Sequence, residues 1–425
     1  MNILWLLAGN SSGFLRVFAL QPAGATFIMS ILSHKIELKP NKAQAEFFQQ
    51  CAGTARFIWN RSLAQWKQEY EVGGKPSAYG ICASLTTAKR EDPLLEWLND
   101  IPRAVLDNSV LNLGTAFKNF FRKLKQGDKK AYPNFKRKGI KEGFNPWYGG
   151  RLHLSGKNIK IPRLGWVRMR ETLRFSGRLI QGVVSQTAGR WFLAITIELS
   201  EPPQKARTGE SQTGVDLGCS TLATLSTGDK IEGPKPLKKL FKKLQRLSRR
   251  LSKKQKGSNR GSKAKQKLAR LHYRISNIRK AAIHELTTRL ILENKVIAIE
   301  DLCVKGMQKL KTVARSLVDQ SFYEIRRQLD YKSRLYGSEI VVVSRWFPSS
   351  KMCSNCGHIK DKLALSERTY QCKVCGFVLD RDINAAINLK NQLGPLGSEV
   401  TLGENVGLPA SLSREVIGNV CCKCC

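Results

Sequence analysis

The sequence is short of negative charge. Its 425 residues carry 33 Asp and Glu against 72 Lys and Arg, a formal net charge of +39. Ordinary surface solvation does not produce such an imbalance, and a polyanionic partner is implied. Long apolar runs are missing too. Nothing approaches the ~18 continuous apolar residues of a membrane span, and the longest N-terminal apolar stretch, Ile3 to Ala8, is short and has no basic segment before it. This argues against a membrane protein and against secretion. No fixed-period repeat occurs. What the chain does have is hydrophobic residues, 42% of the total, enough for real cores, so the positive charge belongs to folded domains and not to a disordered basic tail. At this length, beyond the ~250–300 residues where single cores stop growing, at least two domains are expected. The twelve cysteines sit in a long, basic chain with no secretion signal, where Cys-x-x-Cys pairs bind metal more often than they form disulfides. A reducing, cytoplasmic setting is expected.

Residues 1–28 are poor in charge and join no later pattern, while Met29 directly precedes a sequence of strand character. That first segment is expected to be an extension outside the core, an over-extended start. The alternating run Ile31 to Leu38 ends at Pro40; Gln44 to Tyr70 then sets Phe47, Phe48, Cys51, Phe57, Ile58 and Leu63 at helical spacing. Val105 to Leu124 repeats that pattern, with Arg122, Lys123 and Lys125 at its C-terminal end, which suits a helical nucleic-acid lobe. Between Asn145 and Leu199 the period changes. Ile159 to Pro162, Val183 to Gln186 and Trp191 to Leu199 alternate, and Thr187-Ala188-Gly189 reads as a hairpin turn, so a small β-barrel is expected. Pro202, Pro203 and the polar Lys205 to Gln212 read as a linker, with a second domain starting near Arg207.

From Gly233 to His284 there is no acidic residue, yet Leu240, Leu244, Leu247 and Leu251 share one helical face, as do Leu268, Leu271, Ile275 and Ile278. Two basic amphipathic helices, joined through Lys256 to Ser262, are expected to form a hairpin against nucleic acid. Lys238, Lys239, Lys242, Lys243, Arg246, Arg249, Arg250, Arg270 and Arg274 are its candidate phosphate contacts, the alternative being a solvated helix pair. The tail after Gly394 ends in Cys421-Cys422-Lys423-Cys424-Cys425 and receives no assignment.

Two patterns carry chemistry. Cys353-Ser-Asn-Cys356 is followed, after fifteen residues, by Cys372-Lys-Val-Cys375. This is zinc-ribbon spacing: each turn presents two thiolates, Gly357 and Gly376 fit the tight knuckles, and four sulfurs close one structural Zn2+ site. A redox reading is weaker because two such pairs occur where one suffices, and His358 is left out because four cysteines already satisfy the ion. The second pattern is three acids. Asp216 lies within Gly-Val-Asp-Leu-Gly, a short strand with Thr221 to Ser226 able to pair back, like the first strand of a ribonuclease-H-like sheet. Glu300 ends Lys295-Val-Ile-Ala-Ile-Glu300, an apolar run of the kind buried on both faces of a sheet. Asp382 starts a helix directly after the cysteine pairs. Three converging carboxylates suit two divalent cations, most simply Mg2+, and phosphodiester hydrolysis then needs no Ser, Cys or His nucleophile. Asp301 and Asp380 are assigned to caps or other structural roles.

From His34 to Leu389 the chain resembles the TnpB (OrfB) proteins of insertion sequences, relatives of type V CRISPR effectors. The resemblance rests on Ala52-Gly-Thr-Ala-Arg56-Phe-Ile-Trp-Asn60, Ile161-Pro-Arg-Leu-Gly-Trp166, Gly214-Val-Asp216-Leu-Gly, Ile297-Ala-Ile-Glu300-Asp-Leu, Pro348-Ser-Ser-Lys-Met-Cys353-Ser-Asn-Cys356-Gly and Asp380-Arg-Asp382-Ile-Asn-Ala-Ala. It implies an α+β multidomain protein. A wedge β-barrel (29–41 and 146–206) would be split by a helical recognition lobe (42–145). A RuvC-like nuclease (207–345 and 378–395, with basic helices 235–285) would follow, with a zinc ribbon (346–377) inserted and a tail (396–425) beyond. It also implies that Asp216, Glu300 and Asp382 are the catalytic metal ligands of an RNA-guided DNA endonuclease. The partners would be a guide RNA from the transposon end and target DNA bearing a short adjacent motif, in the cytoplasm at the nucleoid. Two rivals are a nuclease-inactive guided repressor, against which the intact acids count, and a non-enzymatic zinc-ribbon RNA-binding protein, which leaves the strand-placed acids unexplained. A third, a transposase proper, calls for a tyrosine nucleophile or an independent strand-transfer site, and no tyrosine stands in such a motif.

Overall fold

A computed structural model describes residues 16–18, 29–127, 132–139, 142–199, 209–307, 309, 314–364 and 366–394. Most of 1–28, the linker 200–208 and the tail from 395 lie outside the described residues, and so do the expectations attached to them. The chain divides into two compact units, Met1–Pro202 and Pro203–Cys425. No helix among the described residues is long and apolar enough to cross a membrane.

Among the described residues, the first unit is an eight-stranded antiparallel sheet with helices inserted in its sequence. Strand β1 (Arg16–Phe18) pairs with β2 (Met29–Lys39), after which come α1 (Lys42–Glu71), α2 (Ala78–Glu91), a 3-10 turn (Pro93–Asp100) and α3 (Arg103–Lys125). The chain then returns to the sheet through β3 (Gly143–Phe144), β4 (His153–Ser155), β5 (Asn158–Ile161), β6 (Gly165–Met169), β7 (Arg178–Thr187) and β8 (Arg190–Leu199), in the order β3-β7-β8-β2-β6-β5-β4. The period-2 pattern explains the strands: Leu32, His34, Ile36 and Leu38 of β2 are buried while their neighbours are not. The β7–β8 hairpin turns on Ala188 and Gly189, both at positive φ (53° and 75°), as a two-residue turn of the primed kind requires. Helix α1 begins after Pro40 with a capping box: the Asn41 side chain accepts from the Gln44 N–H at 2.8 Å, and the Gln44 side chain accepts from the Asn41 N–H at 3.0 Å. It packs on α3, with Trp66 stacked on Phe117 at 4.4 Å between ring centroids.

In the second unit a mixed sheet runs β11-β10-β9-β12-β13. Its strands are β9 (Ser211–Asp216), β10 (Ala223–Leu225), β11 (Lys230–Ile231), β12 (Asn294–Glu300) and β13 (Glu339–Val343); β12 is parallel to both neighbours, and the other pairings are antiparallel. Between β11 and β12 lie the long helices α4 (Pro236–Ser252) and α5 (Asn259–Glu293). Helices α6 (Val304–Met307), α7 (Ala314–Gln320) and α8 (Phe322–Tyr336) precede β13. A small hairpin, β14 (Thr369–Gln371) with β15 (Val378–Asp380), then leads into α9 (Arg381–Lys390).

The apolar run of β12 is explained by two cores. Ile297 and Ile299 join Ile283, Leu286 and Leu290 of α5 and Ile325 and Leu329 of α8 on one face, whereas Val296 and Ala298 join Leu389 of α9 on the other. At ~1.5–3 kcal/mol for each large side chain removed from water, both faces contribute, and no alternating pattern survives.

Candidate active site and cysteine cluster

Strand parity places two of the acids. On β9, Val215 points into the α5/α8 core, so Gly214 and Asp216 face the opposite side, where α9 packs. On β12, Glu300 shares its parity with Val296 and Ala298 and also faces α9. The strands are adjacent and parallel, with Ile299 opposite Val215, so Asp216 and Glu300 end neighbouring strands on one face. Asp382 lies in the first turn of α9, the helix covering that face. Helix and strand approach closely because Gly214 has no side chain: a Cβ there would lie 2.0 Å from the Ala386 carbonyl oxygen and 2.5 Å from the Lys390 nitrogen.

All three acids are half-buried, and Asp216 registers the crowding. Burial first, and then the charges of Glu300 and Asp382, push its carboxyl up from the ordinary 3.8 to about 7. Such a donor set fits hard divalent cations, which take oxygen ligands and would offset the accumulated negative charge. Among the described residues, however, only the four cysteines form a group of three or more His, Cys, Asp or Glu ligands with ligating atoms all within 4.8 Å of one another. Asp216, Glu300 and Asp382 do not form such a group.

The neighbouring acids have structural partners. Asp380 is the N-cap of α9, its Oδ1 accepting from the Asp382 and Ile383 N–H groups at 3.1 and 3.2 Å and its Oδ2 from Lys230 Nζ at 2.6 Å. Asp301 pairs with Arg345. Three further residues near the acids drew no role from sequence. Ser349, buried, donates its hydroxyl to Glu300 Oε1. Asn384 and Asn388, both buried on α9, donate to the Met352 carbonyl at 2.7 Å each. Their spacing of four, one turn of a helix, was the signal available.

The cysteines lie where their spacing predicts. Cys353 and Cys375 sulfurs are 3.7 Å apart, and those of Cys356 and Cys372 3.6 Å, close to the ~3.8 Å edge of a tetrahedron built on ~2.3 Å Zn–S bonds. Two matching knuckles present them. The N–H of Cys353 donates to the His358 carbonyl at 2.9 Å, that of Cys372 to the Phe377 carbonyl at 2.8 Å, and Gly357 and Gly376 stand at φ 75° and 72°. A hydrogen bond from the Phe377 backbone leads the effects that hold the Cys375 thiol down, to about 6, while Cys356 in the same cluster is pushed up. The cluster has zinc-binding geometry.

The nine basic candidates stand exposed on α4 and α5. These helices pack together, with Leu244 and Leu268 lining a groove of about 380 Å³ between them. The N-terminus of α4 is held from outside: Asp319 of α7, buried, accepts from the Leu237 and Lys238 N–H groups at 2.9 and 3.0 Å.

Three family models match: "Helix-turn-helix domain" over 29–75, "Probable transposase" (OrfB of IS605) over 194–311, and "Cas12f1-like, TNB domain" over 322–389. The first of these regions forms β2 and the single long helix α1 here. A protein of Escherichia coli (strain K12), "Putative RNA-guided DNA endonuclease InsQ", is 36% identical over 370 residues, 84% of this chain and 90% of its own. The chain belongs to the OrfB (TnpB) family. Another relative, from Streptomyces pristinaespiralis, "Putative RNA-guided DNA endonuclease", is 35% identical over 365 residues, 84% of this chain and 87% of its own. A chain in a solved "Cryo-EM structure of the Cas12f1-sgRNA-target DNA complex" is 16% identical, with a TM-score of 0.49 over 83% of each chain.

Proposed function

We propose that this OrfB-family protein is an RNA-guided DNA endonuclease that hydrolyses phosphodiesters of guide-matched DNA at a site formed by Asp216, Glu300 and Asp382. The observation that carries the reading is the convergence of these acids at the ends of β9 and β12 and the start of α9, with the Asp216 carboxyl raised by burial and by the other two. The family relatives named as RNA-guided DNA endonucleases support it. On this reading the second unit's five-stranded sheet with α9 is the RuvC-like nuclease, and the first unit's sheet is the wedge barrel around a recognition lobe α1–α3.

Asp216, Glu300 and Asp382 would hold divalent cations, most simply two Mg2+. When bound, such ions supply charge neutralisation at the reacting phosphate and acidify the attacking water. The protein's own part is to set the donors: two neighbouring strands fix Asp216 and Glu300, the Asp380 cap fixes the first turn of α9 with Asp382, and Gly214 permits their approach. Cys353, Cys356, Cys372 and Cys375 would hold one structural Zn2+. The exposed cations of α4 and α5 would track nucleic-acid phosphates, leaving sequence discrimination to the guide RNA's base pairing with the target strand, beside a short motif read on the duplex. The site of action would be DNA in the cytoplasm.

The test is to sequence RNA co-purifying with the full-length protein and to offer the loaded protein DNA that matches it. One defined transcript with a variable end, together with magnesium-dependent cutting of matched but not unmatched DNA, is expected. Heterogeneous RNA and no cutting would sink the proposal.

A further inference from the structure

The cysteine cluster and the carboxylate site are joined by one short turn. Pro348 to Met352 closes on itself, the Lys351 and Met352 N–H groups both donating to the Pro348 carbonyl at 2.9 Å, and Cys353 follows directly. Helix α9, which carries Asp382, clamps this turn from beneath. Asn388 Nδ2 donates to the Ser349 carbonyl at 2.8 Å and to the Met352 carbonyl at 2.7 Å. Asn384 donates to Met352 and accepts from the Ser354 N–H at 2.9 Å. Ser349 sits within the clamp, 4% exposed. A buried serine ordinarily satisfies its hydroxyl on a nearby backbone carbonyl; this one donates instead to Glu300 Oε1, 49 residues away in sequence.

We propose that Ser349 is a positioning residue for Glu300. Its hydroxyl fixes one carboxylate oxygen and leaves the other to a cation, and the Asn384/Asn388 clamp makes the position of that hydroxyl depend on the cysteine knuckle and on α9 together. The proposal rests on the reading of Asp216, Glu300 and Asp382 as cation ligands. Outer partners that orient metal ligands change affinity or activity by ~10–100-fold when removed, and a hydroxyl donor on a carboxylate ligand is such a partner.

The experiment uses the full-length chain, with Mg2+ as the probe. Calorimetry measures Mg2+ affinity of wild type, Ser349→Ala, Ser349→Thr and Asn388→Ala, elemental analysis measures zinc, and cleavage by the RNA-loaded protein is followed across a magnesium series. Ser349→Ala is expected to weaken Mg2+ binding by ~10–100-fold, to keep one zinc per chain, and to regain most of its cleavage rate at saturating magnesium. Ser349→Thr, which restores the hydroxyl, should stand closer to wild type than Ser349→Ala does. Asn388→Ala should weaken Mg2+ binding in the same direction, although it removes no donor from a carboxylate. Equal Mg2+ affinity in wild type and Ser349→Ala overturns the proposal, as does a Ser349→Ala protein that loses zinc and magnesium together, the mark of a purely structural role. A wild-type protein that binds no Mg2+ sinks the carboxylate-site reading itself, a distinguishable failure.

Discussion

Replacing Asp216 by Asn in the metal-free protein should raise its stability at neutral and alkaline pH, because the wild-type fold holds a carboxylate where it is disfavoured. The Asp216 carboxyl stands at about 7 instead of the ordinary 3.8, through burial first and then Glu300 and Asp382. A group whose folded value is raised binds a proton in the fold after the unfolded chain has released it. Stability is therefore fully present below pH ~4, declines as pH rises to ~7, and stays low above that. About three pH units at ~1.4 kcal/mol each give about 4 kcal/mol lost at pH 8, an upper figure because water and counter-ions relieve part of it. In a unit of this size that corresponds to about 10 °C in melting temperature. Thermal melting in chelator at pH 5 and pH 8 is the assay. Asp216→Asn should melt well above wild type at pH 8, with a clearly smaller gap at pH 5, and added magnesium should raise the wild type but leave the variant almost unmoved. Identical melting of the two proteins in chelator at pH 8 would refute the reasoning.

Other consequences are as direct. Elemental analysis should find one zinc per chain, lost in Cys372→Ser along with thermal stability, since the thiolate shell is then open. Changing Arg246, Arg249 and Arg250 to Gln should weaken nucleic-acid binding and reduce the slope of log affinity against log salt by about 2–3, if each exposed guanidinium meets one phosphate; an unchanged slope across a salt series counts against that surface. Gly214→Ala should push α9 off β9, since its Cβ would fall 2.0 Å from the Ala386 carbonyl oxygen. Cleavage and Mg2+ affinity should both fall at least tenfold, as expected when donor positions are lost, and wild-type magnesium binding in this variant would contradict the close-packing argument.

Much of this was legible because local rules and global packing agree. Helix α1 announced itself through Phe48, Cys51, Ile58 and Leu63, all buried, and the β7–β8 turn through Ala188-Gly189. The cysteine pairs were readable because metal ligation fixes spacing within a knuckle. What stayed hidden depends on residues far apart in sequence. Nothing local to Ser349 says that its hydroxyl meets Glu300, or that Asp319 caps α4 from a helix some eighty residues later. Gly214 read as part of a strand motif; that its missing side chain admits α9 emerges only once the strand and helix are stacked. The face on which Asp216 and Glu300 meet likewise follows from register, which an apolar run such as Val296 to Ile299 leaves open, since both its faces are buried.

The most direct measurement is binding and cleavage of guide-matched DNA by the same RNA-loaded preparation, for wild type and Asp216→Ala, in magnesium and in chelator. On the proposed function, phosphate contacts and base pairing would hold the DNA apart from the carboxylates, so Asp216→Ala should bind matched DNA nearly as tightly as wild type while product disappears, and wild type in chelator should behave likewise. Cleavage that persists in Asp216→Ala or in chelator would contradict the account.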